Sequence, residues 1–158
     1  MLKYVDTAIT FAEFPDEVSL CINISSCPCF CDGCHSPYLS KDIGEVLSLG
    51  RLQELIEANK GITLVGFMGG DSDPKEVNKL AKWVRENYPE LHVGWYSGKQ
   101  LLADNDIDID NFDWIKLGPY MKQFGPLNNP NTNQKFYKID REAHIMIWCT
   151  NLFWKEAE

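Results

Sequence analysis

The chain has 158 residues, a formal net charge of −8 and 44% hydrophobic residues. That length suits one domain with a single core over residues 1–158, and it falls short of the roughly 250 residues of a complete (β/α)8 barrel. No basic stripe, no apolar run near ~20 residues and no secretory leader are visible, so the expectation is a cytoplasmic protein that binds neither nucleic acid nor membrane.

Val18, Leu20, Ile22 and Ile24 alternate with other positions, the pattern of a strand with one buried face. Cys21 falls on the opposite face and reads as a small buried hydrophobe. The strand runs into Ser-Ser-Cys-Pro-Cys-Phe-Cys-Asp-Gly-Cys-His-Ser-Pro, residues 25–37, where Cys27, Cys31 and Cys34 are spaced C-x3-C-x2-C. Residues 45–59 read as a helix with Leu52, Leu55 and Ile56 inward and Gly61 beyond its end. Residues 62–67 read as a buried strand, followed by Met68-Gly-Gly-Asp71.

Asp73 then suits an N-cap, Pro74 the first helical position and Glu76 the capping box, with Val77, Leu80, Ala81 and Val84 as the buried stripe. Residues 91–96 are the next strand, running into Ser97-Gly98, and His92 reads as a core or surface histidine rather than a ligand. The five aspartates between Asp104 and Asp113 read as a solvated loop. Asp113-Trp-Ile-Lys-Leu-Gly-Pro-Tyr120 is a strand entering a turn, and residues 119–134 form a long ordered loop. The apolar tail, 144–148 and 152–154, fits either strand or short helix and closes the core.

Strand, helix, strand, helix, strand is a parallel α/β order. It brings the cysteine loop, Gly69 to Asp71, Ser97 and Gly118 to one rim, where such sheets bind ligands. Three close thiolates can hold three irons of a [4Fe–4S] cluster and leave the fourth open. A closed zinc site using Cys29 as well, or a disulfide, is the weaker reading. There is no second cysteine knuckle, and disulfides are rare in a reducing compartment.

The cysteine spacing resembles the signature of the radical S-adenosylmethionine (SAM) superfamily. Asp32-Gly33-Cys34-His35 resembles the loop of the activating proteins of anaerobic (class III) ribonucleoside-triphosphate reductase, although Cys29 stands where those have His. Gly69-Gly70-Asp71 is similar to the motif that holds the amino group of SAM, and Thr132-Asn-Gln-Lys135 to a Ser-Asn-Gln-Arg segment of the same family. Ser72-Asp73 stand before Pro74 where the superfamily often has Pro directly, so the carboxylate is Asp71 or Asp73.

The resemblance implies a single-domain partial (β/α) barrel of mostly parallel strands. Cys27, Cys31 and Cys34 would hold the cluster, and Gly69, Gly70 and Asp71 the SAM amino end. Gly33 and His35 would lie beside the cluster, with Ser97 toward the ribose or in an ordinary turn. It also implies the activity. An electron from a flavodoxin or ferredoxin cleaves SAM to methionine and a 5′-deoxyadenosyl radical, which makes a glycyl radical on the reductase. The alternatives are an activase of another glycyl radical enzyme of the pyruvate formate-lyase type, a small-molecule radical SAM enzyme, and a non-catalytic iron–sulfur or zinc module.

Overall fold

The computed structural model describes residues 2–25, 43–102 and 105–154. Its strands are β1 (Lys3–Thr10), β2 (Ser19–Ile24), β3 (Glu45–Val46), β4 (Leu64–Met68), β5 (His92–Tyr96), β6 (Trp114–Leu117), β7 (Lys135–Asp140) and β8 (Ile145–Trp148). The two α-helices are α1 (Leu49–Ala58) and α2 (Pro74–Asn87). The strands form one sheet in the order β3-β1-β2-β4-β5-β6-β7-β8.

The centre of the sheet follows the expected parallel order, with β2, β4, β5 and β6 paired in parallel. The architecture around it does not, and the expectation of a partial (β/α) barrel is corrected. β3, β1, β7 and β8 all pair antiparallel, so the sheet is mixed and runs from one edge strand to another. Among the described residues only two α-helices are present, too few for a helix-rich barrel. Among its described residues the passage from β5 to β6 carries one 3-10 turn, Ile109–Asn111. After β6 the chain turns back on itself, and an antiparallel return needs no crossover helix.

Both helices lie over one face. Leu52, Leu55 and Ile56 of α1 and Val77, Leu80, Ala81 and Val84 of α2 pack with Leu20, Ile22, Val65, Phe67, Val93, Trp95 and Ile115. Ser48 caps α1, its hydroxyl accepting the Arg51 N–H at 3.1 Å. The helix expected over 45–59 therefore starts later, because Glu45 and Val46 pair with Tyr4 and Lys3 instead. α2 starts as expected, with Asp73 accepting the Glu76 N–H and Pro74 in the first turn. None of the helices among the described residues is long and apolar enough to cross a membrane.

The other face is closed by Phe14, Leu64, Leu127 and Phe136, with Cys21 among them. Gly66 and Gly94 are cross-strand partners, and a Cβ on either would stand 2.8 Å or 2.2 Å from the Phe14 ring. The two glycines make a notch that this ring fills. Tyr96 donates its hydroxyl to the Glu13 carbonyl and fixes the loop that carries Phe14. The undecided tail resolves into β8 and a 3-10 turn, Thr150–Phe153. The Thr150 hydroxyl accepts the Phe136 N–H at 2.8 Å.

Candidate functional site at the rim of the parallel strands

Four chain segments leave the sheet at the C-terminal ends of the parallel strands. Ser25 follows β2, Gly69 to Asp71 follow β4, Ser97 and Gly98 follow β5, and Gly118 follows β6. Cys27, Cys31, Cys34, Gly33 and His35 lie outside the described residues, as does Cys29. The chain passes into that segment from Ser25, whose N–H is held by the Lys3 carbonyl at 3.0 Å.

Gly69 and Gly70 both have positive φ, 106° and 95°, which glycine adopts without the steric cost of a side chain. A Cβ on Gly70 would stand 2.5 Å from Val77 Cγ2, so the close seating of α2 also demands glycine. Gly69 donates to the Tyr96 carbonyl at 2.9 Å and accepts the Trp95 indole N–H at 2.7 Å. The Gly70 carbonyl accepts the Asp73 N–H at 3.0 Å. The fold itself accounts for this glycine pair.

Asp71 is different. It is 8% exposed, and its carboxylate accepts the Ser97 hydroxyl at 2.5 Å and the Gly98 N–H at 2.8 Å. The Ser97 Oγ in turn accepts the Lys99 N–H at 3.1 Å, which fixes its rotamer. No salt bridge among the described residues involves Asp71. The carboxylate borders a hollow of about 490 Å³ shared with Pro74, Trp95, Ser97 and Lys99. Asp73, the other candidate, is occupied as the helix cap. The two carboxylates thus differ in their surroundings, one in the helix cap and one beside the hollow.

A second hollow of about 600 Å³ adjoins the first through Gln100 and Leu101 and reaches Gly118 and Asn133. The Thr132–Lys135 stretch borders this rim. A Cβ on Gly118 would stand 3.2 Å from the Gln134 Cα, and Asn133 donates to the Pro119 carbonyl at 3.0 Å. Asn133 Oδ1 is buried without a hydrogen-bond partner among the described residues.

Lys116 was not singled out from the sequence. It is buried in β6, donates to the Gly118 carbonyl at 2.9 Å and lies 5.3 Å from the Tyr96 ring centroid. The signal was a lone cation within an apolar parallel strand. His92 is no core residue: it is exposed, with Nδ1 2.5 Å from Glu17 Oε2. Glu17 also accepts from Thr63 at 2.8 Å and from the Trp114 indole at 3.2 Å.

The aspartate run is only partly a solvated loop. Asp113 is held by Arg85 at 2.9 Å, Arg141 at 2.5 Å and the Val93 N–H at 2.8 Å. Burial pushes the Cys21 thiol up to about 11, so it is a protonated, inert sulfur at neutral pH. No group of three or more potential metal-ligating side chains is gathered among the described residues.

No family model, curated protein or solved structure matches the chain.

Proposed function

We propose that the chain is a radical SAM activase whose substrate is a glycyl radical enzyme of the anaerobic ribonucleoside-triphosphate reductase type. The reading joins the C-x3-C-x2-C loop to one structural observation, the environment of Asp71. Among the described residues this buried carboxylate has neutral donors and no ion pair, and Lys99 borders the same hollow. An ammonium group entering the adjoining hollow would supply a cationic partner through a charge-assisted hydrogen bond. The amino group of SAM is such a group, and the Asp71 carboxylate fits it.

In this reading Cys27, Cys31 and Cys34 hold a [4Fe–4S] cluster and Asp71 receives the ammonium. When bound, the cluster would pass one electron from a flavodoxin or ferredoxin-type reductant to SAM, supplying the reductive cleavage needed for hydrogen abstraction from a glycine of the partner. The residues of this chain position and shield. Ser97 and the Gly98 amide hold Asp71 in one rotamer. Pro74, Trp95 and Lys99 line the hollow beside Asp71.

The test is anaerobic reconstitution with iron and sulfide, then dithionite and SAM, with 5′-deoxyadenosine as the readout. Wild type should form it and Cys31→Ala should not. Adding candidate glycyl radical enzymes should then give a glycyl signal by electron paramagnetic resonance. Tight zinc uptake without a cluster, or iron uptake without SAM cleavage, would replace this reading with that of a non-catalytic metal module.

A further inference from the structure

The sheet ends in two very different edges. β3 is two residues long and carries the charged Glu45, a form that discourages pairing with another chain. β8 is Ile-Met-Ile-Trp, with no charge and no proline. Ile145, Ile147 and Trp148 are 50%, 44% and 48% exposed. No other strand among the described residues pairs with its outer side.

The ladder to β7 shows which backbone groups face outward. Cys149 donates to the Phe136 carbonyl at 2.8 Å. Residues 136 and 149 are therefore a hydrogen-bonded pair, continuing the register of Tyr137 with Trp148. Antiparallel pairs alternate, so Lys138 with Ile147 is the next bonded pair and Met146 and Trp148 turn their N–H and C=O groups away from β7. The bond from the Ile139 N–H to the Asp113 carbonyl, at 2.9 Å on the far side of β7, agrees with that phase.

We propose that β8 pairs antiparallel with β8 of a second copy of this chain, about a two-fold axis through Ile147. This register sets Met146 opposite the partner's Trp148 and Trp148 opposite the partner's Met146. Both outward-facing residues of each strand thereby gain their backbone bonds. Ile147 meets its own counterpart as a close, non-hydrogen-bonded, β-branched pair, and the two Met–Trp pairs bring sulfur to aromatic rings. The seam is self-complementary, as a two-fold interface must be. It is also uncharged, which matters for two copies of net charge −8. Apolar surface continues beyond it: Trp154 packs on Trp148 at 5.8 Å and shares a hollow with the exposed Phe11 and Leu152.

The experiment is sedimentation velocity of the full chain over a range of concentrations, under reducing conditions. Wild type should pass from monomer to twice the monomer mass. Ile147→Lys sets two like charges at the axis and should stay monomeric with an unchanged far-ultraviolet spectrum, since Ile147 is half exposed. Ile147→Cys should cross-link to itself on mild oxidation. Peptide mapping should find residue 147 joined to residue 147, because facing Cα atoms in such a pair are about 4.5 Å apart, within disulfide reach. A wild type that is monomeric throughout, a dimer that Ile147→Lys leaves intact, or a cross-link that does not join 147 to 147 would each overturn the proposal.

Discussion

Asp71 and Asp113 are both shielded carboxylates beside the parallel strands, Asp71 after β4 and Asp113 before β6, and they are held in different ways. Asp113 takes two guanidinium groups, from Arg85 and Arg141, and the Val93 N–H. Asp71 takes a hydroxyl and a backbone N–H and faces a hollow. The first arrangement ties α2, β5 and the β7–β8 turn together. The second is held in shape by neutral donors at the edge of the hollow. A carboxylate satisfied by cations is a fastener, whereas one satisfied by neutral dipoles beside a cavity is equipped for a cationic ligand.

Breaking the fastener should have the largest effect on stability. Asp113→Ala leaves Arg85 half-buried and unpaired, and should cost about 3–5 kcal/mol in urea unfolding. SAM cleavage per folded, cluster-loaded molecule should stay near wild type. Phe14→Ala should fall close behind, at about 3–5 kcal/mol, because it empties the notch over Gly66 and Gly94. Gly94→Ala attacks the same contact from the other side and should cost about 1–3 kcal/mol. If both variants were neutral, the packing of the face opposite α1 and α2 would be wrong.

A smaller effect concerns pH. The Cys21 thiol is raised in the folded protein from an ordinary value of 9.0 to about 11, chiefly by burial. Its contribution is fully present below about 9 and is lost as pH rises toward 11, because the unfolded chain releases that proton first. The thermal midpoint of wild type should therefore drop between those values more steeply than that of Cys21→Ala. Equal slopes would deny the buried thiol.

The parallel centre of the sheet was legible in the sequence because its signals are local. Val18 to Ile24 alternates, residues 62–67 form an apolar run, and Asp73-Pro74 announces α2. The antiparallel flanks were not legible. β1 mixes charged and apolar residues and is defined by β2 partners 9 to 20 positions away. The β7–β8 turn carries no glycine; His144 supplies the positive φ of 54°. The expected helix over 45–48 lost to a pairing that no local pattern encodes.

At the rim, Gly69, Gly70 and Asp71 were singled out through a motif resemblance and their place after a strand, and Ser97 through its place alone; the structure sets Ser97 against Asp71. The sequence left the carboxylate on Asp71 or Asp73, although Asp73 before Pro74 already read as the cap of α2. The structure keeps Asp73 as the cap and sets Asp71 against the hollow. Asp113 was hidden in an acidic run because its arginine partners lie 28 residues away on either side.

SAM binding to cluster-loaded wild type, Asp71→Asn and Asp73→Asn is the most direct test. Asp71→Asn removes the charge and keeps the shape, so the dissociation constant should rise by roughly tenfold or more, as for a lost charge-assisted bond of ~1.5–3 kcal/mol. Asp73→Asn should bind SAM like wild type, with at most a slight loss of stability, because Asn is also a good cap. Equal affinity for all three proteins, or a loss confined to Asp73→Asn, would contradict the assignment of Asp71 as the ammonium-binding carboxylate.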